Sequence, residues 1–117
     1  MIKYTVEVFE YGTQKWYKDG KLHREDGPAV IIGSIRQEWY RNGELHREDG
    51  PAVIDGNNYQ VWYRNGELHR EDGPAIIDGD YQEWWVDGKE IPPSSVKEVT
   101  MNELHKLLGY EVKIVEN

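Results

Sequence analysis

The sequence predicts a mainly β fold, an elongated antiparallel meander of β-hairpin repeats with a short helix-containing cap at its C-terminal end. Three observations support this fold class. Trp16, Trp39 and Trp62 open three closely similar segments at a constant step of 23 residues. Each segment continues into Asp-Gly or Asn-Gly, a pair typical of tight hairpin turns. Aromatic residues reach 12% in a chain that is 31% charged, which is typical of a folded protein and not of a disordered one.

The repeat also predicts the domain organisation. A chain of 117 residues can form one domain with a modest core. Units two and three differ at one of sixteen positions, Val53 against Ile76, and a degenerate fourth unit starts at Trp84. A fixed period of this size indicates stacked supersecondary units, none of which buries its apolar surface alone. The predicted segments are an N-terminal capping strand over 1–15, repeat units over 16–38, 39–61 and 62–83, a partial unit over 84–90, and a C-terminal cap over 91–117.

Within a unit the residues favour strands and turns. In unit two an aromatic strand over 37–40 leads to a hairpin turn at Asn42-Gly43. A second turn, Asp-Gly-Pro, precedes a strand over 52–54, and Asp55-Gly56 forms a third. Two strands of about five residues and their connections fill 23 residues, which leaves no room for a helix of ten or more.

The repeated aromatics are expected to form two columns. Neighbouring residues of a strand point to opposite faces, so the tryptophans and the tyrosines of successive units fall on different faces. We expect these rings to stack between units and to hold a thin sheet together, with a ligand-binding aromatic strip as the alternative. The predicted structural residues are Trp16, Trp39, Trp62, Trp84, Tyr17, Tyr40 and Tyr63.

The two ends differ from the repeats and are predicted to be caps that seal the sheet edges. Residues 2–9 alternate as a strand does. Beyond the repeats, the pattern predicts a helix that begins at Ser95 or Thr100 and ends at Gly109, then a last strand over 110–115. This C-terminal cap could equally dock a partner.

The tetrad His-Arg-Glu-Asp occurs three times and supplies the candidate binding residues. Its side chains combine an imidazole, a cation and two carboxylates. We expect each arginine to pair with a carboxylate of its own or the next unit, and each aspartate to brace the turn before Gly-Pro. The candidates are His23, Arg24, Glu25, Asp26, His46, Arg47, Glu48, Asp49, His69, Arg70, Glu71 and Asp72.

The same tetrads do not favour catalysis or metal binding. Equivalent histidines of adjacent hairpins lie about 9–10 Å apart, too far to share one ion, although His and Asp of a single unit could do so. Acid–base catalysis needs a distinct pair in a cleft, whereas each candidate here is repeated on an expected open surface. No phosphate loop or nucleophile elbow is present. We therefore predict no enzyme activity, no catalytic residue, no cofactor and no metal.

Charge narrows the class of partner. The net charge is -8, and residues 16–88 hold eight Lys/Arg against fifteen Asp/Glu. This balance argues against direct nucleic-acid or membrane binding and favours a protein partner with a basic surface. The lack of cysteine favours a reducing, cytoplasmic location. The oligomeric state stays open, because a sheet edge or the C-terminal helix could self-associate.

The pattern W-Y-x-[ND]-G-x-L-H-x-x-D-G-P-A resembles the MORN-type repeat over about residues 14–90. Its HREDGPA form is similar to repeats of bacteriophage and large-virus proteins. The resemblance implies consecutive hairpins that bind proteins, sometimes lipids, without catalysis; the acidic charge departs from the often basic family. The expected function is a phage-encoded module that binds or inhibits a host protein in the host cytoplasm. The alternative is a small-ligand or metal sink that uses the repeated His, Glu and Asp.

Overall fold

The structure is a computed structural model that describes residues 2–92, and the predicted C-terminal helix and last strand lie outside these residues. The described part is mainly β. Its strands are β1 (Thr5–Val8), β2 (Gln14–Lys18), β3 (Lys21–Leu22), β4 (Val30–Ile32), β5 (Arg36–Glu38), β6 (Tyr40–Arg41), β7 (Glu44–Leu45), β8 (Val53–Asp55), β9 (Tyr59–Val61), β10 (Tyr63–Arg64), β11 (Glu67–Leu68), β12 (Ile76–Asp78), β13 (Tyr81–Val86) and β14 (Lys89–Ile91).

The main sheet is an antiparallel meander, as predicted. Its strand order is β1-β2-β4-β5-β8-β9-β12-β13-β14, and β3 pairs with the end of β2. Each repeat adds two strands to this sheet. In register, Val53 of β8 lies opposite Glu38 on one side and Val61 on the other. The β-hairpin repeat is therefore confirmed as the building unit of the sheet.

Each full unit contains a second, smaller hairpin that sequence analysis missed. The expected aromatic strand over 37–40 is interrupted at Trp39, where β5 ends and β6 begins. The Trp39 N–H donates to the carbonyl of Ala52 at 2.7 Å, and the Trp39 carbonyl accepts the N–H of His46 at 3.0 Å. The chain bends at this residue, and β6 and β7 form a separate two-stranded hairpin. Unit one differs, because β2 runs through Trp16 and pairs with β3 at its end. Each full unit thus contains four short strands instead of the expected two.

The tips of the small hairpins are the predicted tight turns. Asn42 and Gly43 both have positive φ, at 52° and 84°. Two successive positive φ values define the type I′ turn, which asparagine and glycine tolerate best. The same pair of positive angles occurs at the Asp19, Asn65 and Asp87 turns.

The core is narrow and built from small side chains. Ala29, Ala52 and Ala75, the residues after each Gly-Pro, are fully buried. Larger buried side chains of the main sheet, such as Val30, complete the core. The buried apolar residues are Ala29, Val30, Ala52, Val53, Val61, Ala75, Val86 and Ile91. Because so little apolar area is buried per unit, bonds between units must contribute much of the cohesion.

The N-terminal strand is shorter than predicted. β1 covers Thr5–Val8 and pairs with β2, with Thr5 opposite Tyr17. A 3-10 turn over Glu10–Gly12 joins the two strands, and Tyr11 adopts a positive φ of 62° in it. β1 is an edge of the main sheet.

Candidate functional site: the three HRED loops

Each small hairpin leads into a loop His-Arg-Glu-Asp-Gly-Pro, which returns the chain to the main sheet. We call these HRED loops loop 1 (23–28), loop 2 (46–51) and loop 3 (69–74). The structure thus gathers the twelve predicted binding residues into three equivalent loops that succeed one another along the array. The tetrads do not present all their side chains outward, however.

The histidines are buried and bind backbone. His23, His46 and His69 are 3%, 8% and 8% exposed. The Nδ1 atom of His46 accepts the N–H of Asn65, a turn residue of the next unit, at 2.9 Å. The Nδ1 atom of His23 likewise accepts the N–H of Asn42 at 2.9 Å. This corrects the expectation of histidines on an open surface.

The structural reason lies in the type I′ turns. The N–H groups of both central residues of such a turn point away from their own hairpin, and buried donors need partners. At the Asn65-Gly66 turn, the first N–H is taken by His46 and the second donates to the carbonyl of Leu45 at 2.9 Å. Each unit therefore completes the turn of the unit that follows it. We call this set of bonds the joint.

Two further contacts complete the joint between units two and three. The N–H of Arg47 donates to the carbonyl of Tyr63 at 3.2 Å, and Arg41 Nη2 donates to Asn65 Oδ1 at 3.4 Å. The third joint uses Asp87 and Trp85 in place of the asparagine and the tyrosine. Backbone atoms dominate these contacts, so a joint tolerates such changes.

At His46 this geometry requires a neutral ring. Because Nδ1 accepts a backbone N–H, the ring proton must lie on Nε2. In His23 that Nε2–H lies 3.1 Å from Glu25 Oε2. In His46 the Nε2 atom has no partner among the described residues. Burial, followed by the charge of Arg41, lowers the pKa of His46 below its ordinary 6.5. An Nδ1 lone pair that is already engaged cannot bind a metal ion.

The arginines clamp the loops instead of facing solvent. The Arg47 guanidinium lies over the Trp39 ring, 3.9 Å from its centroid. Its Nε donates to Asp49 Oδ1 at 3.0 Å, and its Nη1 donates to the carbonyl of Pro51 at 3.1 Å. The same set of contacts recurs at Arg24 and Arg70.

This clamp changes two expectations. The arginines pair with carboxylates of their own units, one of the two predicted options. The arginine also braces the turn through the carbonyl of the proline, a contact that was not predicted. For the tryptophans, we expected ring-on-ring stacking between units, but among residues 2–92 the ring pair in contact is Tyr4 with Trp16. Each guanidinium covers a tryptophan face, a contact of about 0.5–2 kcal/mol.

The loop glycines are explained by the clamp. Gly50 does not have a positive φ, so its backbone would accept other residues. A Cβ atom at Gly50 would lie 3.0 Å from the guanidinium carbon of Arg47. The corresponding distances are 3.2 Å at Gly27 and 2.9 Å at Gly73. Any larger residue there would press against the guanidinium of the clamp, because the arginine approaches the backbone closely.

The other predicted structural aromatics lie along the small hairpins. Tyr40 is half-buried, and its hydroxyl donates to Glu38 Oε1 at 3.1 Å. Burial, together with the nearby Glu38 carboxylate, raises the pKa of Tyr40 to about 12. The Tyr17 hydroxyl likewise donates to Glu7 Oε1 at 2.8 Å. In β13, Trp84 lies opposite Ile91.

The carboxylates are the outward part of the loops. The Asp49 side chain is 87% exposed, and the bond from Arg47 lowers the pKa of its carboxyl group. Glu48 is 75% exposed, and its nearest cation is Arg41 Nη1 at 3.8 Å. Among residues 2–92, no group of three or more His, Cys, Asp and Glu is arranged to hold a metal ion.

Clefts separate neighbouring loops and were not predicted. The first cleft, about 820 Å³, lies between loops 1 and 2, and Trp39, Arg41, His46 and Glu48 contribute to its lining. The second cleft, about 670 Å³, lies between loops 2 and 3. Strand periodicity could not predict either cleft, since both depend on how far the arginine-clamped loops stand apart.

The described part of the chain contains no helix that could span a bilayer. Comparisons with protein-family models, with curated proteins and with solved structures give no match to this chain.

Proposed function

We propose that this chain is a non-enzymatic protein-binding module that engages a basic partner protein through the exposed carboxylates of its HRED loops. One observation carries the proposal: the loops bury their histidines and hold their arginines in the clamp, while their carboxylates stay exposed to solvent. The proposed contact residues are Glu25, Asp26, Glu48, Asp49, Glu71 and Asp72.

The geometry supports binding by a preorganised surface. The arginine clamp fixes each loop, so less side-chain and loop entropy is lost when a partner binds. Each loop carries one cation and two carboxylates, and equivalent loops repeat at about two strand spacings, roughly 9–10 Å. A row of negative charges at regular spacing steers a basic surface toward the loops and fixes its register.

The resemblance to MORN-type repeats supports the same class of function. We extend the proposal to a phage-encoded factor that binds or inhibits a host protein in the cytoplasm, because the HREDGPA form is similar to repeats of phage proteins. The acidic charge of residues 16–88 favours a protein partner over an anionic lipid surface.

The test is affinity capture from host lysate with two charge-matched variants. The loop variant carries Glu25→Gln, Glu48→Gln and Glu71→Gln, which remove exposed carboxylates outside the arginine clamp. The control variant carries Glu10→Gln, Asp78→Asn and Asp80→Asn, which remove the same charge away from the loops. We expect a partner that the wild type and the control capture at low salt, and that the loop variant or high salt releases. A partner retained equally by both variants and at both salt concentrations contradicts the proposal.

A further inference from the structure

Loop 1 already holds a tyrosine of the same chain. The Tyr4 ring meets the Trp16 ring edge to face, with centroids 5.2 Å apart and planes at 74°. The Tyr4 hydroxyl oxygen accepts the N–H of Glu25 at 3.1 Å. Tyr4 precedes the repeats, and within residues 2–92 no second aromatic ring lies against Trp39 in this way.

The equivalent position in unit two borders an open cleft. Trp39 and Glu48, the counterparts of Trp16 and Glu25, both line the first cleft. Within residues 2–92 the Glu48 N–H has no hydrogen-bond partner. His46, which is 8% exposed and lines the same cleft, has an Nε2 atom without a partner. Two donors without partners thus line the cleft together with the Trp39 ring, and the one on His46 is buried, where a missing acceptor is costly.

We propose that the first cleft binds a tyrosine side chain of the partner protein, with the ring edge to face on Trp39 and the hydroxyl oxygen accepting the Glu48 N–H. This inference rests on the proposed protein-binding function and names the residue type that the partner inserts. Tyrosine fits because it supplies both the aromatic edge and an acceptor oxygen. Large aromatic anchors in desolvated pockets carry much of the affinity of protein interfaces.

The first experiment titrates the ¹⁵N-labelled chain with N-acetyl-tyrosinamide, using N-acetyl-phenylalaninamide as the matched control. We expect the tyrosine probe to shift the Glu48 amide and the Trp39 indole N–H resonances. The phenylalanine probe should bind about tenfold more weakly, because it leaves the Glu48 N–H unpaired. Equal binding of the two probes, or a tyrosine titration in which Glu48 and Trp39 do not respond, overturns the proposal.

The second experiment opens the equivalent place in unit one. Tyr4→Ala removes the internal tyrosine, whereas Tyr4→Phe keeps the ring and removes only the hydroxyl. We expect N-acetyl-tyrosinamide to shift the Glu25 amide and the Trp16 indole in the alanine variant but not in the phenylalanine variant. Circular dichroism checks that both variants stay folded. A folded alanine variant without a response at Glu25 counts against the proposal.

The two proposals fail separately. If the probe does not bind the first cleft but capture still depends on the loop carboxylates, the tyrosine proposal alone is wrong. If the probe binds the cleft but no partner depends on the carboxylates, the charge-based function is wrong and the tyrosine site remains.

Discussion

Loops 1 and 2 have the same sequence, HREDGPA, at 23–29 and at 46–52, yet their polar groups are differently occupied. In loop 1, His23 Nε2 is within hydrogen-bond distance of Glu25 Oε2, and the Glu25 N–H donates to the Tyr4 hydroxyl oxygen. In loop 2, the corresponding donors of His46 and Glu48 have no partner among the described residues. The difference comes from what lies beside each loop: an N-terminal tyrosine at one and an open cleft at the other.

This comparison separates two kinds of interaction. The backbone bonds of the joint and the arginine clamp are the same in both loops, because each needs only residues that the repeat supplies. Whether the histidine Nε2–H and the glutamate N–H of a loop find acceptors depends instead on the residues that lie beside that loop. The clamp and the joint give a structural reason for the shared residues of units two and three. The proposed tyrosine site, in contrast, lies where the surroundings of equivalent loops differ.

The largest expected effect is the loss of a histidine. His46→Ala removes the acceptor of the Asn65 N–H and leaves a cavity, so we expect the free energy of unfolding to fall by about 2–4 kcal/mol. His23→Ala should cost about 1 kcal/mol more, because it also removes the contact with Glu25. Urea denaturation of both variants measures the difference.

Glu48→Gln serves as the control for these variants. It keeps the joint and should change the unfolding free energy by less than about 0.5 kcal/mol. If His46→Ala proves as mild as Glu48→Gln, the joint does not hold units two and three together.

A smaller effect is expected from filling the space beside the clamp. Gly50→Ala places a methyl group against the Arg47 guanidinium, and we expect a loss of about 1–3 kcal/mol. Gly27→Ala should cost less, since the corresponding distance in loop 1 is 3.2 Å instead of 3.0 Å.

A double-mutant cycle with Arg47→Ala identifies the cause. Once the arginine is removed, Gly50→Ala should cost little, which gives a large coupling energy between the two residues. Additive losses would show that the backbone conformation of Gly50, and not the approach of the arginine, excludes alanine.

Acid is expected to weaken the joint of unit two by a further, smaller amount. The pKa of His46 is lowered in the folded chain, so the unfolded chain binds this proton first. The stabilisation is complete above about pH 6.5 and is lost as the pH falls from there toward the lower folded pKa. Protonation at Nδ1 also removes the acceptor of the Asn65 N–H. Of the charged groups around the ring, Arg41 and Arg64 disfavour the protonated form, and Glu48 favours it.

The measurement is the urea midpoint at several pH values, for the wild type and for His46→Gln. The glutamine variant should lose less stability between pH 7 and pH 5, because the other titrating groups are unchanged. Parallel curves for the two chains would exclude His46 as a source of the pH dependence.

The sequence predicted what local rules determine. The 23-residue period predicted the meander, and Asn42-Gly43 predicted the turn, since few residues other than asparagine and glycine tolerate its angles. The bend at Trp39 was missed because that residue has high strand propensity, and its backbone partners, Ala52 and His46, lie farther along the chain. Burial of the histidines was missed for a related reason. Their partners are turn amides of another unit, and the residues of a single HRED tetrad give no indication of such partners.

The smallest expected effect isolates the difference between the two loops. Tyr4→Phe removes one hydroxyl and should cost at most about 1 kcal/mol, because the ring can remain on Trp16 and water can replace the lost acceptor. The more sensitive readout is amide hydrogen exchange. In the wild type the Glu25 amide should exchange more slowly than the Glu48 amide, since Tyr4 protects only the former. In Tyr4→Phe the two rates should converge. If Glu25 and Glu48 already exchange alike in the wild type, Tyr4 does not distinguish the loops, and the neighbour-based account of their difference is wrong.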